Sequence, residues 1–219
     1  MGQFIPLGDK LVLESQDLQR LFDVLKERGY RILGPTVRDR AIIYDELGSA
    51  TDLPAGWTDD QNGGSYRIRK RSDEALFAYA SSPHSWKKFL LEPQTTMWQA
   101  KRSGSGFQVD QGRGQLRKSA LIGVRSCDLY AIEIQDRVFI TADQVDPSYK
   151  SRRESLFIVA VNCGQAGGTC FCSSMKTGPK ASSGFDLALT EVIETNRHYF
   201  LVEIGSALGE QAFSAVPCR

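Results

Sequence analysis

Residues 120–124 read Ala-Leu-Ile-Gly-Val and residues 156–161 read Leu-Phe-Ile-Val-Ala-Val. An unbroken apolar run of this length is the pattern of a strand buried on both faces, since a strand with one wet face alternates. Between them, Leu129, Ile132, Ile134 and Val138 predict a helix over 128–139. Strand, helix and strand in that order predict parallel pairing in an α/β sheet. Toward the carboxyl end, an amphipathic helix is expected over 185–193 and a third strand over 198–204. Toward the amino end, residues 10–13 form a short apolar strand and Ser15 is the expected cap of the next helix. Leu18, Leu21, Phe22 and Leu25 follow at helical spacing, and Gly29 ends the helix. Residues 31–37 and 41–45 read as strands. Residues 49–64, rich in Gly, Asp, Asn and Pro, read as a loop. Residues 66–71 form a strand with a basic face, 75–80 are apolar, and Pro83 starts a short helix carrying Trp86, Phe89 and Leu90. The glycines of 97–115 do not match a dinucleotide fingerprint and predict a hairpin or flexible loop. The expected fold class is therefore α/β: a mixed, partly parallel sheet with flanking helices. Residues 1–219 form one domain with a possible sub-boundary near 100–118, without internal repeats.

Composition limits the function classes. The chain has 219 residues, 41% hydrophobic and 24% charged, enough for a sizeable core and too apolar for disorder. Lys+Arg (27) and Asp+Glu (26) nearly cancel, giving a net charge of +1. A protein living on phosphate neutralisation carries a stronger basic excess, so nucleic acid is not an expected partner. No stretch approaches the roughly 18 apolar residues of a membrane span, so no membrane insertion is expected. The amino terminus lacks the layout of a signal peptide, and Pro6 stands where a myristoylation signal needs Ser or Thr. The expected location is cytoplasmic, where five cysteines read first as ligands or reactive thiols.

Four of those cysteines cluster in the sequence. Cys127 follows the strand ending at Val124, and Cys163, Cys170 and Cys172 follow the strand ending at Val161. If the two strands are parallel neighbours, both exits lie on one rim, where ligand sites of open α/β sheets form. Cys127 opens a helix, whose free N–H groups and dipole favour a thiolate. The loop 164–168 offers backbone N–H groups with little side-chain hindrance, and Phe171, Met175 and Ile122 are candidate shields against water. Arg125, Lys176 and the pair Arg152-Arg153 are candidates to offset thiolate charge. Three readings stay open on spacing alone. They are an iron–sulfur cluster, a structural zinc, and a redox-active or inert set of thiols. The C-x-C spacing fits zinc knuckles poorly, and no histidine or general base stands nearby for a thiol enzyme.

The stretches Gly123-Val-Arg-Ser-Cys-Asp-Leu-Tyr-Ala-Ile, Gln135-Asp-Arg-Val-Phe and Asn162-Cys followed by Thr-Cys-Phe-Cys-Ser-Ser-Met-Lys-Thr-Gly-Pro179 carry a family resemblance, with Gly184-Phe-Asp-Leu beside them. They resemble the iron–sulfur electron-transfer subunit of cytoplasmic redox complexes. These are the beta subunit of sulfhydrogenase-type nickel–iron hydrogenases and the A subunit of anaerobic sulfite reductase. The resemblance is strong over 120–190 and weaker before it, where it includes Trp86-Lys-Lys-Phe-Leu-Leu-Glu-Pro. Ser126 stands where the family often has Pro or another small residue, and Lys176 where it often has Gly. The chain stops before the family's ferredoxin-like region and is read as an amino-terminal domain or a short relative.

The resemblance implies one [4Fe-4S] cluster on Cys127, Cys163, Cys170 and Cys172, with Cys218 left over. It also implies single-electron relay, without turnover of a substrate by this chain. The implied partners are a flavin or nicotinamide-oxidising subunit and a catalytic metal subunit. The alternative is a zinc-binding structural or interaction module without redox activity. Asp128 reads as a first-turn acid of the helix, with iron ligation the competing role. His84 and His198 read as structural, and Trp86, Trp98 and Tyr130 as core or interface aromatics. The basic run 66–71 reads as a solvated strand face.

Overall fold

The computed structural model describes residues 10–94, 96, 98–110, 117–141 and 143–216. The strands are β1 (Lys10–Glu14), β2 (Arg31–Arg38), β3 (Ala41–Glu46), β4 (Trp57–Asn62), β5 (Ser65–Lys70), β6 (Gln99–Ser103), β7 (Gly106–Asp110), β8 (Ser119–Val124), β9 (Leu156–Val161), β10 (Leu187–Glu194) and β11 (Arg197–Ile204). The helices are α1 (Leu18–Glu27), α2 (Lys87–Leu90), α3 (Ser126–Phe139), α4 (Pro147–Glu154), α5 (Cys172–Met175) and α6 (Ala207–Phe213). Seven strands form one sheet in the order β1-β11-β10-β9-β8-β2-β3, while β4 with β5 and β6 with β7 form separate hairpins. The centre of the sheet is parallel, β10 with β9, β9 with β8 and β8 with β2, and its flanks are antiparallel. The expected mixed, partly parallel α/β sheet with flanking helices is the observed architecture.

Alternation on the central strands builds a core on each face. Phe157, Val159 and Val161 of β9 join Ala120 and Ile122 of β8 under α1 and α6, through Leu18, Leu21, Phe22, Leu25, Ala212 and Phe213. Leu156, Ile158 and Ala160 join Leu121 and Val124 against Leu129 and Ile132 of α3 and Tyr149 of α4. Both central strands are buried throughout, as their unbroken apolar runs predict.

Three local expectations are corrected, and one helix is new. Residues 187–194 form β10 and not a helix. Phe185, Ala188, Leu189 and Val192 have helical spacing, but Leu187 to Leu189 pair with β9, and the whole segment pairs with β11 across a two-residue turn. Ser15 is not the cap of α1, because a short 3-10 turn occupies 15–17 and Asp17 precedes the helix. The expected loop 49–64 contains β4, which is held by β5. The connection into β9 carries α4, whose start is set by Pro147 and by Asp146 accepting the Ser148 and Tyr149 N–H groups at 2.8 and 2.9 Å. The hairpin expected within 97–115 is present as β6 and β7, although Met97 and 111–116 lie outside the described residues.

The exit of β8 is bent by a bulge between Ile122 and Val124. Gly123 sits there at φ +89, and a Cβ on it would stand 3.1 Å from Phe77 Cε1. Both the dihedral and the space favour glycine, and the bend turns the chain toward Arg125. Gly123→Ala is expected to lower unfolding free energy by about 1–3 kcal/mol, measured by chemical denaturation. An unchanged midpoint would show that the bulge tolerates a side chain.

Candidate functional site

Because β8 and β9 are parallel neighbours, both leave the sheet at the same rim. Cys127 stands in the first turn of α3, two residues beyond Arg125, and Cys163 follows Asn162 at the exit of β9. The connection after β9 is pinched at its base. Cys163 N–H donates to Pro179 O at 3.2 Å, and Ala181 N–H donates to Asn162 Oδ1 at 2.8 Å. Cys170 and Cys172 lie on this closed loop, Cys172 opening the single turn α5. Ser126 Oγ ties the loop to α3 by donating to Lys180 O at 3.0 Å. Cys172 packs beside this tie, since a Cβ on Gly178 would lie 3.4 Å from its Sγ and 3.6 Å from Ser126 Cβ.

The two strand exits share one rim, as expected, but the four sulfurs do not close into a single cage. Among the described residues, no three His, Cys, Asp or Glu side chains are grouped so as to hold a metal ion. The thiols are nevertheless within electrostatic reach of one another: Cys127 feels Cys163 and Cys172, and Cys163 feels Cys172 and Cys170. The surroundings of Cys127 work against the thiolate that a helix start was expected to favour. Although Cys127 reaches solvent, desolvation of its thiol, then the Asp128 charge and the other thiols, push its pKa up to about 12. The Asp128 backbone N–H acts in the opposite direction. Burial also raises the Cys163 thiol, with the Arg125 charge acting in the opposite direction.

Arg125 is the best-defined charge at the site. It is 0% exposed and lies between the two strand exits and the irregular buried segment 75–80. Its Nη2 donates to Phe77 O and Tyr79 O, both at 2.7 Å. Its Nη1 reaches Val161 O and Asn162 O at 3.5 and 3.4 Å, and the guanidinium lies 4.7 Å from the Tyr79 ring centroid. The two short bonds contribute about 1.5–3 kcal/mol each, and the two long ones little. Burying the cation costs several kcal/mol, so the tie offsets its desolvation without neutralising its charge.

Asp128 accepts the Arg125 backbone N–H at 3.3 Å, the arrangement of a first-turn helix acid. Its carboxyl is raised above the usual carboxylate range by burial, against the Arg125 amide and charge and the Trp86 indole.

The other assigned residues divide clearly. Phe171 and Met175 are 68% and 61% exposed, and Ile122 is inside the sheet core, so none shields the rim. Arg152 pairs with Glu92 at 2.8 Å and Arg153 with Asp136 at 3.0 Å. Both stand on α4, which precedes β9 and so lies toward the opposite edge of the sheet. Lys176 is exposed, with φ +56 at the end of α5. His198 contacts Glu191 at 2.8 Å, and exposed His84 donates its backbone N–H to Ser82 Oγ. Trp86 is buried against Tyr44, while Trp98 is exposed. Cys218 lies outside the described residues.

Sequence reading missed the support given by β4. Gly168 N–H donates to Gln61 O at 3.0 Å, Thr169 Oγ1 to Gln61 Oε1 at 2.9 Å, and Gln165 Nε2 to Thr58 Oγ1 at 2.9 Å. A Cβ on Gly168 would stand 2.4 Å from Gln61 O, and one on Gly167 would stand 2.9 Å from Ala80 Cβ. These glycines permit close approach, without needing positive φ. Gly167 N–H points to Cys170 Sγ at 3.3 Å. Only the Gly, Gln and Thr composition of 164–169 hinted at this docking.

The comparisons with known proteins bear on this arrangement. Sulfhydrogenase 2 subunit beta of Pyrococcus furiosus is 30% identical over 199 residues, covering 91% of this chain and 49% of the relative. Over that span the chain is similar to this sulfhydrogenase subunit. It spans about half the length of the curated relative it matches. No family model matches, and no solved structure matches. Among the described residues, no helix is long and apolar enough to cross a membrane.

Two measurements test this geometry. At pH 8 a thiol of pKa about 12 is ionised on the order of one part in ten thousand. Cys127 should therefore alkylate slowly with iodoacetamide, and Asp128→Asn should accelerate it by removing the adjacent negative charge. A rate matching a free cysteine in the parent would refute the assigned environment. Gly168→Val should speed limited proteolysis within 164–170 while far-ultraviolet ellipticity stays parental. Equal loss of both would mean that the glycine serves the whole fold.

Proposed function

We propose that this chain is the electron-relay domain of a cytoplasmic redox complex, holding one [4Fe-4S] cluster on Cys127, Cys163, Cys170 and Cys172. The observation that carries the reading is the convergence of both cysteine-bearing strand exits on one rim of a parallel pair. The homology to a hydrogenase beta subunit supports it. The donor types suit the group, since all four are soft thiols with electrostatic contact among them, although among the described residues no three side chains are grouped so as to hold a metal ion. When bound, the cluster would supply one-electron redox chemistry.

The chain's own residues have separate tasks in this reading. Ser126, Asn162 and Pro179 hold the loop against the strand exits, and Gln61 and Thr58 hold its outer half. Asp128 organises the first turn of α3 and is not a ligand. The partners would be a flavin or nicotinamide-oxidising subunit and a catalytic metal subunit.

Anaerobically purified chain should show broad visible absorbance and about four iron per chain. Cys163→Ser should remove most of the iron, whereas Cys218→Ser should leave it unchanged. A colourless protein carrying zinc would replace this reading with a structural metal module. Equal iron in the two variants would remove the ligand assignment.

A further inference from the structure

Neither face of the β6–β7 hairpin is buried, and every residue from Gln99 to Val109 is exposed. Among the described residues it is a sheet of two strands only, so the outer edge of each is unpaired. Its register sets Ala100 opposite Val109 and Arg102 opposite Phe107. These four therefore share one face, and Trp98, two residues before Ala100, is in step with it. Trp98, Phe107 and Val109 are 65%, 75% and 65% exposed. The opposite face carries Gln99, Lys101, Ser103 and Gln108. A two-stranded hairpin is marginal in water and gains stability from a third strand or a packed face. Positive charge is also concentrated here. Lys101, Arg102, Arg113, Arg117 and Lys118 fall within 98–118 against Asp110 alone, in a chain whose net charge is +1.

We propose that β6 is a docking edge for an extended, acidic segment of another protein, which adds beside it as a third strand. Unpaired N–H and C=O groups on an edge strand are a template for such addition. In a segment that alternates apolar and acidic residues, the apolar set lies beside Ala100, whose small side chain leaves Val109 and Phe107 accessible, and the acidic set beside Lys101. The occupied edge is β6 because Lys101 and Arg102 both stand on it. A second copy of the same hairpin would set like charges against each other. A lipid surface fits less well, because the turn that would enter it first is Ser103-Gly-Ser-Gly106, while the apolar side chains lie along one face. The inference uses no residue of the cysteine rim and is independent of the metal reading above.

Titration of the full chain with a short peptide alternating Glu with Val, and with its Lys–Val and Glu–Ser counterparts, tests the proposal, with amide hydrogen exchange followed alongside. The Glu–Val peptide should bind and slow alternate amides of β6, which contact through side chains alone would not do. Lys101→Glu should weaken that binding about fivefold and turn the preference to the Lys–Val peptide, and Phe107→Ser should weaken it by a similar factor. Both side chains are exposed, so far-ultraviolet ellipticity should stay parental. If Phe107→Ser melts the hairpin, the reversed preference of Lys101→Glu decides. Equal binding of the three peptides, or no slowing in β6, overturns the proposal. So does binding to vesicles of phosphatidylcholine and phosphatidylserine with no peptide bound, which would make the hairpin a membrane contact. A dimer in sedimentation that Phe107→Ser disperses would make it a self-contact and overturn the proposal too. Peptide binding should be the same with or without iron, so its failure leaves the iron–sulfur reading standing.

Discussion

Parallel pairing of β8 with β9 puts the carbonyl ends of both strands on one edge of the sheet, and the chain must leave both strands there. The pairing is held from two sides, because alternate residues of each strand enter opposite cores. Neither strand can slip by one residue without exchanging its two buried sets. That constraint fixes where Arg125 and Asn162 emerge, and with them Cys127 and Cys163. The bulge at Gly123 then bends the exit of β8 without disturbing the register that precedes it.

The rim is completed by a segment that has no strand partner. Residues 75–80 contain buried Ala75, Phe77, Tyr79 and Ala80, yet they form no helix or strand. Their backbone groups are satisfied by charged side chains instead. Glu191 accepts the Leu76 and Phe77 N–H groups at 2.6 and 2.9 Å, and Asp59 accepts that of Ala80 at 2.7 Å. Arg125 takes the carbonyls of Phe77 and Tyr79. Buried backbone polar groups must be paired, and here three side chains from distant parts of the chain do what a neighbouring strand would do. This makes the irregular segment a fixed wall.

Much of the framework was legible because its signals are local. The apolar runs of β8 and β9, the spacing of Leu18, Leu21, Phe22 and Leu25, and the glycine after α1 each report the immediate surroundings of a few residues. The helix expected over 185–193 shows where such signals stop. Its apolar spacing satisfies a helical period, and only pairing with β9 and β11 selects the strand. Phe171 and Met175 likewise read as shields from their place beside the cysteines, but their side chains face solvent. Arg152 and Arg153 were misassigned because sequence proximity to β9 does not reveal which edge of the sheet they occupy.

The sequence by itself determined the fold class, the two buried strands and the candidate thiols, because hydrophobic period and residue chemistry are properties of short stretches. The family resemblance also rested on short stretches around Cys127 and Cys163. Only the tertiary structure decided that Arg125 is buried between the strand exits and the segment 75–80, that the 164–169 loop rests on β4, and that desolvation raises the Cys127 thiol. These depend on desolvation and on contacts between segments far apart in the chain, and neither is encoded in the spacing of neighbouring residues.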